Sequence, residues 1–299
     1  MISIVTAYYN RKKLFERTLK SIAKQNFDKG FEVIAVDDGS EESERLEDLT
    51  VEFPFLKIIR LEKENKWYNN SCIPFNIGFK AAKGDKIIIQ NPECLHFGDI
   101  LQYTESNLTE NNYLSFACYS LDKDSTENLD SLLQTPDKIL EIIEKNNHVI
   151  MNDGDAGWYN HSVHRAEAYH FCTAISRNVL LKKLKGFDER FSLGIAYDDN
   201  EFVDRIKNLL TIRFVDDEII LHQNHYSPNS TSFQNRENKV RLYEFNEFIY
   251  RNRIKELNYN SFLDLIPSNQ KKKTITFLLK FESGLRRIKY YKNRLIYRK

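Results

Sequence analysis

Up to about residue 100 the chain alternates short runs of β-branched and aromatic residues with longer stretches whose apolar positions recur every third or fourth place. ISIVTA (2–7), FEVIAVDD (31–38), FLKIIRLE (55–62) and DKIIIQ (85–90) are predicted strands. Between them, RKKLFERTLKSIAKQ (11–25) carries Leu14, Leu19 and Ile22 at helical spacing. SEESERLEDL (40–49) opens with Ser40 followed by acids, a helix-start signature, and IPFNIGFKAA (73–82) is a third predicted helix. Strand–helix alternation of this kind builds a parallel sheet with helices on its faces, and such sheets bind ligands at the carboxyl ends of their strands.

Past residue 112 the pattern loosens. YLSFACYSL (113–121) and YHFCTAISR (169–177) read as strands, and DKILEIIEKNN (137–147), NVLLKKL (178–184) and DDNEFVDRIKNLL (198–210) as helices. Residues 122–135 are polar and predicted to be loop. So is 152–168, NDGDAGWYNHSVHRAEA, which lacks periodicity but is rich in Gly, His and acids; long loops are often functional.

Composition narrows the class without naming a chemistry. A net charge of +1 over 299 residues, with 29% charged, fits an ordinary soluble protein. The charge is uneven: residues 271–299 hold eleven basic residues and one acid, Glu282, about +10 against about −9 for the rest. Four scattered cysteines (Cys72, Cys94, Cys118, Cys172) with no CxxC pair point to reduced thiols and a cytoplasmic setting. No apolar run reaches membrane-spanning length, and the amino terminus reads as a strand, not a signal segment.

Two predicted strand tips carry unusual chemistry. The second strand ends in DDGS (37–40), and the fourth runs from Ile87-Ile88-Ile89 into Gln90 and then Asn91-Pro92-Glu93. A buried strand that pushes an amide and a carboxylate out of its tip ends either in a solvated turn or in a site. Asp38 has the same two readings, as a turn residue or as an acceptor for ligand hydroxyl and N–H groups.

SIVTAYYNR, VDDGS, FNIGFKAAKGDKIII, GFDERF and YDDNEFVDR occur in this order, and together they resemble family 2 glycosyltransferases of the GT-A fold over roughly residues 2–226. The resemblance implies a central, mostly parallel sheet flanked by helices. It also implies transfer of a sugar, with inversion, from a nucleotide diphosphate donor to an acceptor hydroxyl. Ala7, Tyr8, Tyr9, Asp38, Asn76 and Asn91 are then expected around the donor nucleotide, with Tyr8 or Tyr9 packing on its base. Asn10 and Arg11 are expected to do no more than cap the first helix. Counting from Gly84-Asp85, the family's metal-holding Asp-X-Asp triplet falls on Asn91-Pro92-Glu93. Glu93 keeps an anionic oxygen suited to Mn²⁺ or Mg²⁺, and the candidates to supplement it are His222 and His225 in LHQNHYS, of which one is expected near the metal or the diphosphate. His96 and Asp99 lie just beyond Glu93, and Asp99 is expected to be a helix N-terminal acid rather than a ligand. His161 and His164, beside Trp158, are either acceptor contacts or surface loop residues.

In YDDNEFVDR, Asp199 aligns with the family's catalytic base. Asp198 beside it can raise its pKa, and Arg205 follows seven residues after Asp198. The plainer reading is a pair of helix-start acids. The expected organisation is a GT-A domain over 1–230, with a nucleotide-binding half (1–111) and an acceptor and catalytic half (112–230). A helical extension (231–299), basic from 271, follows. That tail is expected to form a helix broken or bent at Gly284, either packed on the domain or lying on an anionic membrane surface. The function expected is a hexosyltransferase using a UDP-sugar and a divalent cation to build a polysaccharide or lipid-linked glycan, without nucleic acid. The alternative is a catalytically silent GT-A domain that binds nucleotide sugars or glycans. A nucleotidyltransferase is set aside, because TAYYNRKK is not a Gly-rich loop.

Overall fold

The computed structural model describes residues 1–147, 156–225 and 236–296. Among them the strands are β1 (Ile2–Tyr8), β2 (Phe31–Asp37), β3 (Leu56–Arg60), β4 (Lys86–Gln90), β5 (Cys94–His96), β6 (Asn112–Ser120), β7 (Gly157–Asn160), β8 (Cys172–Ser176) and β9 (Thr211–His222). The helices are α1 (Lys12–Ala23), α2 (Leu49–Glu52), α3 (Cys72–Ala81), α4 (Ile100–Asn107), α5 (Lys123–Glu127) and α6 (Leu129–Leu132). They continue with α7 (Pro136–Lys145), α8 (Asp198–Leu209), α9 (Arg236–Asn252), α10 (Asn260–Leu263) and α11 (Ser268–Ile296).

These strands form one mixed sheet, ordered β3-β2-β1-β4-β8-β6-β9-β5, with β7 alongside β6. Strands β1 to β4 are mutually parallel. Strand β8 runs antiparallel to both β4 and β6, and β9 runs parallel to β6. The reversal at β8 leaves β6 and β9 pointing the same way as β1 and β4. Their carboxyl ends therefore emerge along one edge, where the chemistry-bearing residues collect.

Successive strand residues serve opposite faces. Ile4, Val33, Ala35, Ile88 and Ala174 cluster with Phe15, Leu19 and Ile22 of α1. Val5, Ile34, Val36, Ile87, Ile89 and Ile175 cluster with Phe75 and Phe79 of α3 and with Phe202 and Ile206 of α8. Strands covered on both faces need apolar residues at nearly every position, which is why the sequence shows continuous runs there. Helix α3 lies close over β1, where a β-carbon on Gly78 would collide with the Val5 side chain.

Several local expectations give way to tertiary contacts. SEESERLEDL forms only a single turn of 3-10 helix (Glu42–Glu44) and the short α2, because its acids are engaged elsewhere. Glu44 accepts from the Lys12 backbone N–H at 2.8 Å, and Glu47 pairs with Arg60. The polar stretch 122–135 holds α5 and α6, with Asp122 capping α5 by accepting from the Ser125 N–H. Within the expected loop 152–168, residues 157–160 pair with β6 as β7, while 152–155 lie outside the described residues. NVLLKKL forms a π-helical turn.

Helix α11 runs unbroken through Gly284, whose surroundings are open space, so the expected break is absent. The helix is anchored by its one acid. Arg190, fully buried, donates to Asp188 at 2.6 Å, to Glu282 at 3.1 Å and to the Ile254 carbonyl at 2.9 Å. Glu189 pairs with Lys271 at 3.2 Å. Removing one partner from a buried ionic cluster leaves uncompensated charge, so Glu282→Ala is expected to cost about 3–5 kcal/mol in thermal unfolding, whereas Lys272→Ala on the exposed face changes less than about 0.5 kcal/mol.

Candidate active site

A cleft of about 380 Å³ opens at the tips of β1 and β4, lined by Ala7, Tyr8, Tyr9, Arg11, Asp38, Lys66, Asn91 and His170 among others. The two aspartates of DDGS have divided roles. Asp37 is fully buried, holding Arg60 at 2.8 Å and the Ser40 N–H at 2.9 Å. Asp38 borders the cleft, accepting from the Tyr68 hydroxyl and from Lys66 Nζ, both at 2.5 Å. Gly39, at φ +80°, turns the chain away from that wall towards Ser40. The tyrosines separate too. Tyr8 is wholly buried against Phe15 and donates its hydroxyl to the Glu44 carbonyl, so its ring is not available to a ligand. Tyr9 is 43% exposed, with Lys66 Nζ 5.2 Å from its ring centre.

Behind one wall of the cleft lies Glu93, 2% exposed. Its Oε1 is 3.2 Å from Nε2 of His222 and 3.2 Å from Nε2 of His225, and its Oε2 accepts from Arg11 at 2.8 Å. The candidate ligand atoms of Glu93, His222 and His225 lie within 4.8 Å of one another. Strand β5 pairs with β9 and sets Cys94 opposite His222, which delivers Glu93 to the histidines from a distant part of the chain. Burial opposes ionisation of Glu93, but Arg11 and the two imidazoles outweigh it and hold the carboxyl well below its usual range. Burial also pushes His222 down, towards the neutral ring whose lone pair can bind a metal. Tyr159 and Phe171 pack on the His222 ring at 4.7 and 5.9 Å, and its Nδ1 is buried with no partner among the described residues. An anionic carboxylate with the Nε2 atoms of two imidazoles converging on one of its oxygens suits a divalent cation.

Asp198 and Asp199 begin α8. The backbone before them is held in the left-handed region, with φ 58° at Ala196 and 65° at Tyr197. Such residues cost about 1–3 kcal/mol each and persist only where contacts fix them. Here Asn246 of α9 donates to the Ala196 carbonyl at 2.8 Å and to the Phe191 carbonyl at 3.0 Å. Asp198 Oδ1 accepts from Asn70 at 2.9 Å, while its Oδ2 is buried without a partner among the described residues. Asp199 is pushed up to about 7 by burial and by the neighbouring Asp198 carboxylate. His170, a cleft wall, feels the Asp198 charge but is driven towards neutrality by burial among Phe75 and Phe187.

Asp38 thus borders the cleft directly. Glu93 adjoins it through Arg11 and Pro92, and Asp198 is held by Asn70, which stands between the cleft residues Asn69 and Ser71. Asn76 does not reach it. Its amide donates to the Phe187 carbonyl at 2.9 Å and accepts from the Phe187 N–H at 2.8 Å, a structural tie between α3 and GFDERF. His96 is buried and lies 2.7 Å from Gln90, with burial pushing it down to about 3, and Asp99 occupies the N-cap position of α4. His161 and His164 pack on buried Trp158, and His161 lies 3.9 Å from Asp216.

Residues 3–167 match the sequence model of glycosyl transferase family 2. The chain belongs to that family. A curated relative, chondroitin synthase of Escherichia coli, is 34% identical over 88 residues, which make up 29% of this chain and 12% of that protein. Solved structures of S. aureus TarS superpose at low identity: the crystal structure of TarS with a TM-score of 0.52 at 15% identity, covering 90% of this chain and 46% of that one. TarS 1–349 in complex with UDP-GlcNAc gives 0.54 at 14% identity, over 90% and 77%. At such identity these likenesses establish the GT-A fold, a curled mixed sheet between helices. The matched family span ends before Asp198 and Asp199.

Sequence reasoning undervalued Arg11, expected only to cap α1. It does stand at the N-cap position, yet its guanidinium lines the cleft and pairs with Glu93. Its place directly after strand β1 was the available signal. Lys66 and His170 carried none, because only the fold brings them to the cleft.

Proposed function

We propose that this family 2 enzyme transfers a hexose, with inversion, from a UDP-sugar to an acceptor hydroxyl in the assembly of a polysaccharide or other glycan. What carries the reading is one strand-tip cleft bordered by Asp38, with a metal-type ligand set behind one wall and, beside another, Asn70 holding the Asp198 of a carboxylate pair whose Asp199 is pushed up to about 7. The UDP and UDP-GlcNAc complexes of TarS support a UDP-sugar, and the similarity to chondroitin synthase supports a polysaccharide product.

In this reading Tyr9 packs on the base and Asp38 accepts from the nucleoside. Asn91 and Glu93 stand in the family's Asp-X-Asp triplet, with Glu93, His222 and His225 holding the divalent cation. A bound cation neutralises charge developing on the departing diphosphate. Arg11 holds the second oxygen of Glu93 and presents its own positive charge to the cleft. Asp199, kept basic beside Asp198, takes the proton from the acceptor hydroxyl as the new C1–O bond forms and the bond to the diphosphate breaks. Residues 1–111 are assigned to the donor, 112–230 to the acceptor and the base, and 231–299 to an appended helical region. The surviving Asp198-Asp199 pair weighs against a silent binding module.

The test is release of UDP from a panel of UDP-sugars with Mn²⁺, with and without chelator; no release from any donor, with acceptor glycans present, rejects the reading. A second check separates the tyrosines. Tyr9→Ala is expected to remove roughly 1–3 kcal/mol of UDP affinity by calorimetry, the typical worth of a base–aromatic stack. Tyr8→Ala instead lowers stability by about 3–5 kcal/mol, as loss of a buried aromatic does.

A further inference from the structure

We propose that α11 and α9 form a docking face for an anionic lipid surface. The anchoring of α11 by Ile275 and Glu282 decides which side of the helix stays outside. On that outer side Phe277, Phe281 and Ile288 follow one another at i, i+4 and i+11, exposed by 66%, 53% and 66%. Beside this apolar row runs a basic one, Lys273, Lys280 and Arg287, repeating every seven residues and exposed throughout. Across an apolar groove of about 510 Å³, lined by Leu242, Leu279 and Lys280 among others, α9 adds the half-exposed Phe245 and, beyond it, Phe248.

Large aromatic side chains in one row, with cations in the next, match the layering of an interface in which rings enter the acyl boundary and ammonium groups meet phosphates. No helix among the described residues is long and apolar enough to cross a membrane, so the contact is peripheral. A second copy of the chain is a poorer occupant. The one acid of α11 is buried on Arg190, so a two-fold pairing that sets α11 against its own copy brings basic row against basic row. Helix α9 also braces the Ala196 carbonyl just before Asp198, so the face lies one helix away from the candidate base. That position suits an acceptor carried on a lipid, but the docking stands independently of the transfer reaction.

The experiment is co-sedimentation of the full chain with phosphatidylglycerol and with phosphatidylcholine vesicles at low and high salt. Binding to the anionic vesicles only, weakened by salt, is expected. Lys273→Glu/Lys280→Glu/Arg287→Glu should weaken it at least 10-fold, with thermal midpoint and UDP binding unchanged. Phe277→Ser/Phe281→Ser should abolish the binding that survives at high salt, where charge is screened. Indifference of the parent chain to anionic vesicles at low salt overturns the proposal. So does a dimer in light scattering that either variant splits, since the face is then covered by another copy. Because the readout is vesicle binding, a failure here is distinguishable from a failure to transfer sugar.

Discussion

Asp199→Asn is expected to reduce sugar transfer about 100- to 10,000-fold, the usual contribution of a positioned general base, while leaving UDP-sugar affinity within about two-fold. The substitution keeps size and hydrogen-bonding capacity and removes only the ability to accept a proton. With Asp199 raised to about 7 by burial and by Asp198, the working, deprotonated form accumulates as pH rises through neutrality. Turnover of the parent should therefore climb between about pH 6 and pH 8, whereas the residual activity of the variant should be flat. The same shift acts on stability with a definite sign. The native state holds this proton more tightly than the unfolded chain, whose ordinary value is 3.8, so the contribution of Asp199 to stability is lost as pH rises towards 7. Asp199→Asn should consequently melt above the parent at pH 8, with the gain shrinking towards pH 5. Near-normal turnover in a folded variant rejects Asp199 as the base.

Glu93→Gln should have the second largest effect. It removes the only anionic oxygen from the cluster with His222 and His225, so Mn²⁺ affinity should fall by more than the roughly 10–100-fold that follows loss of an outer-shell partner. The substitution also leaves Arg11 facing a neutral amide and the buried His222 without its carboxylate. Arg11 is 34% exposed and recovers some hydration, so the expected stability loss is about 1–3 kcal/mol. For the parent, the depressed pKa of Glu93 gives stability that is present above the ordinary value of 4.5 and lost as pH falls through the lower native value; the variant should lack this acid-side slope. Calorimetric titration with Mn²⁺, and melting curves from pH 3 to pH 7, measure both effects. Unchanged Mn²⁺ binding in Glu93→Gln sinks the metal assignment.

These two residues show how differently parts of a site can be read from a sequence. Asp199 sits in a nine-residue motif and opens a helix, so its position needs only local rules. Its elevated pKa does not, because that depends on burial in the folded chain and on the conformation of Ala196 and Tyr197, which α9 braces from outside the motif. Glu93 was legible as a carboxylate at a strand tip, and two nearby histidines were legible as candidates. That they share one carboxylate oxygen follows from the antiparallel pairing of β5 with β9, two strands more than 110 residues apart in sequence. Asn76 fails for the complementary reason. It belongs to a motif, but the fold turns it onto the Phe187 backbone.

The amino-acid order by itself determined the strand–helix alternation of the amino-terminal half, the strand tips bearing Asp38 and Glu93, and the carboxylate pair that starts α8. These features arise from periodicity and short-range capping, which are properties of neighbouring residues. Only the tertiary structure decided the mixed right half of the sheet, the joining of Arg11 and two histidines on Glu93, and the role of Glu282 as the anchor of a basic helix. Each of those depends on contacts between residues far apart in the chain, and their energies come from burial and charge pairing that local sequence does not encode.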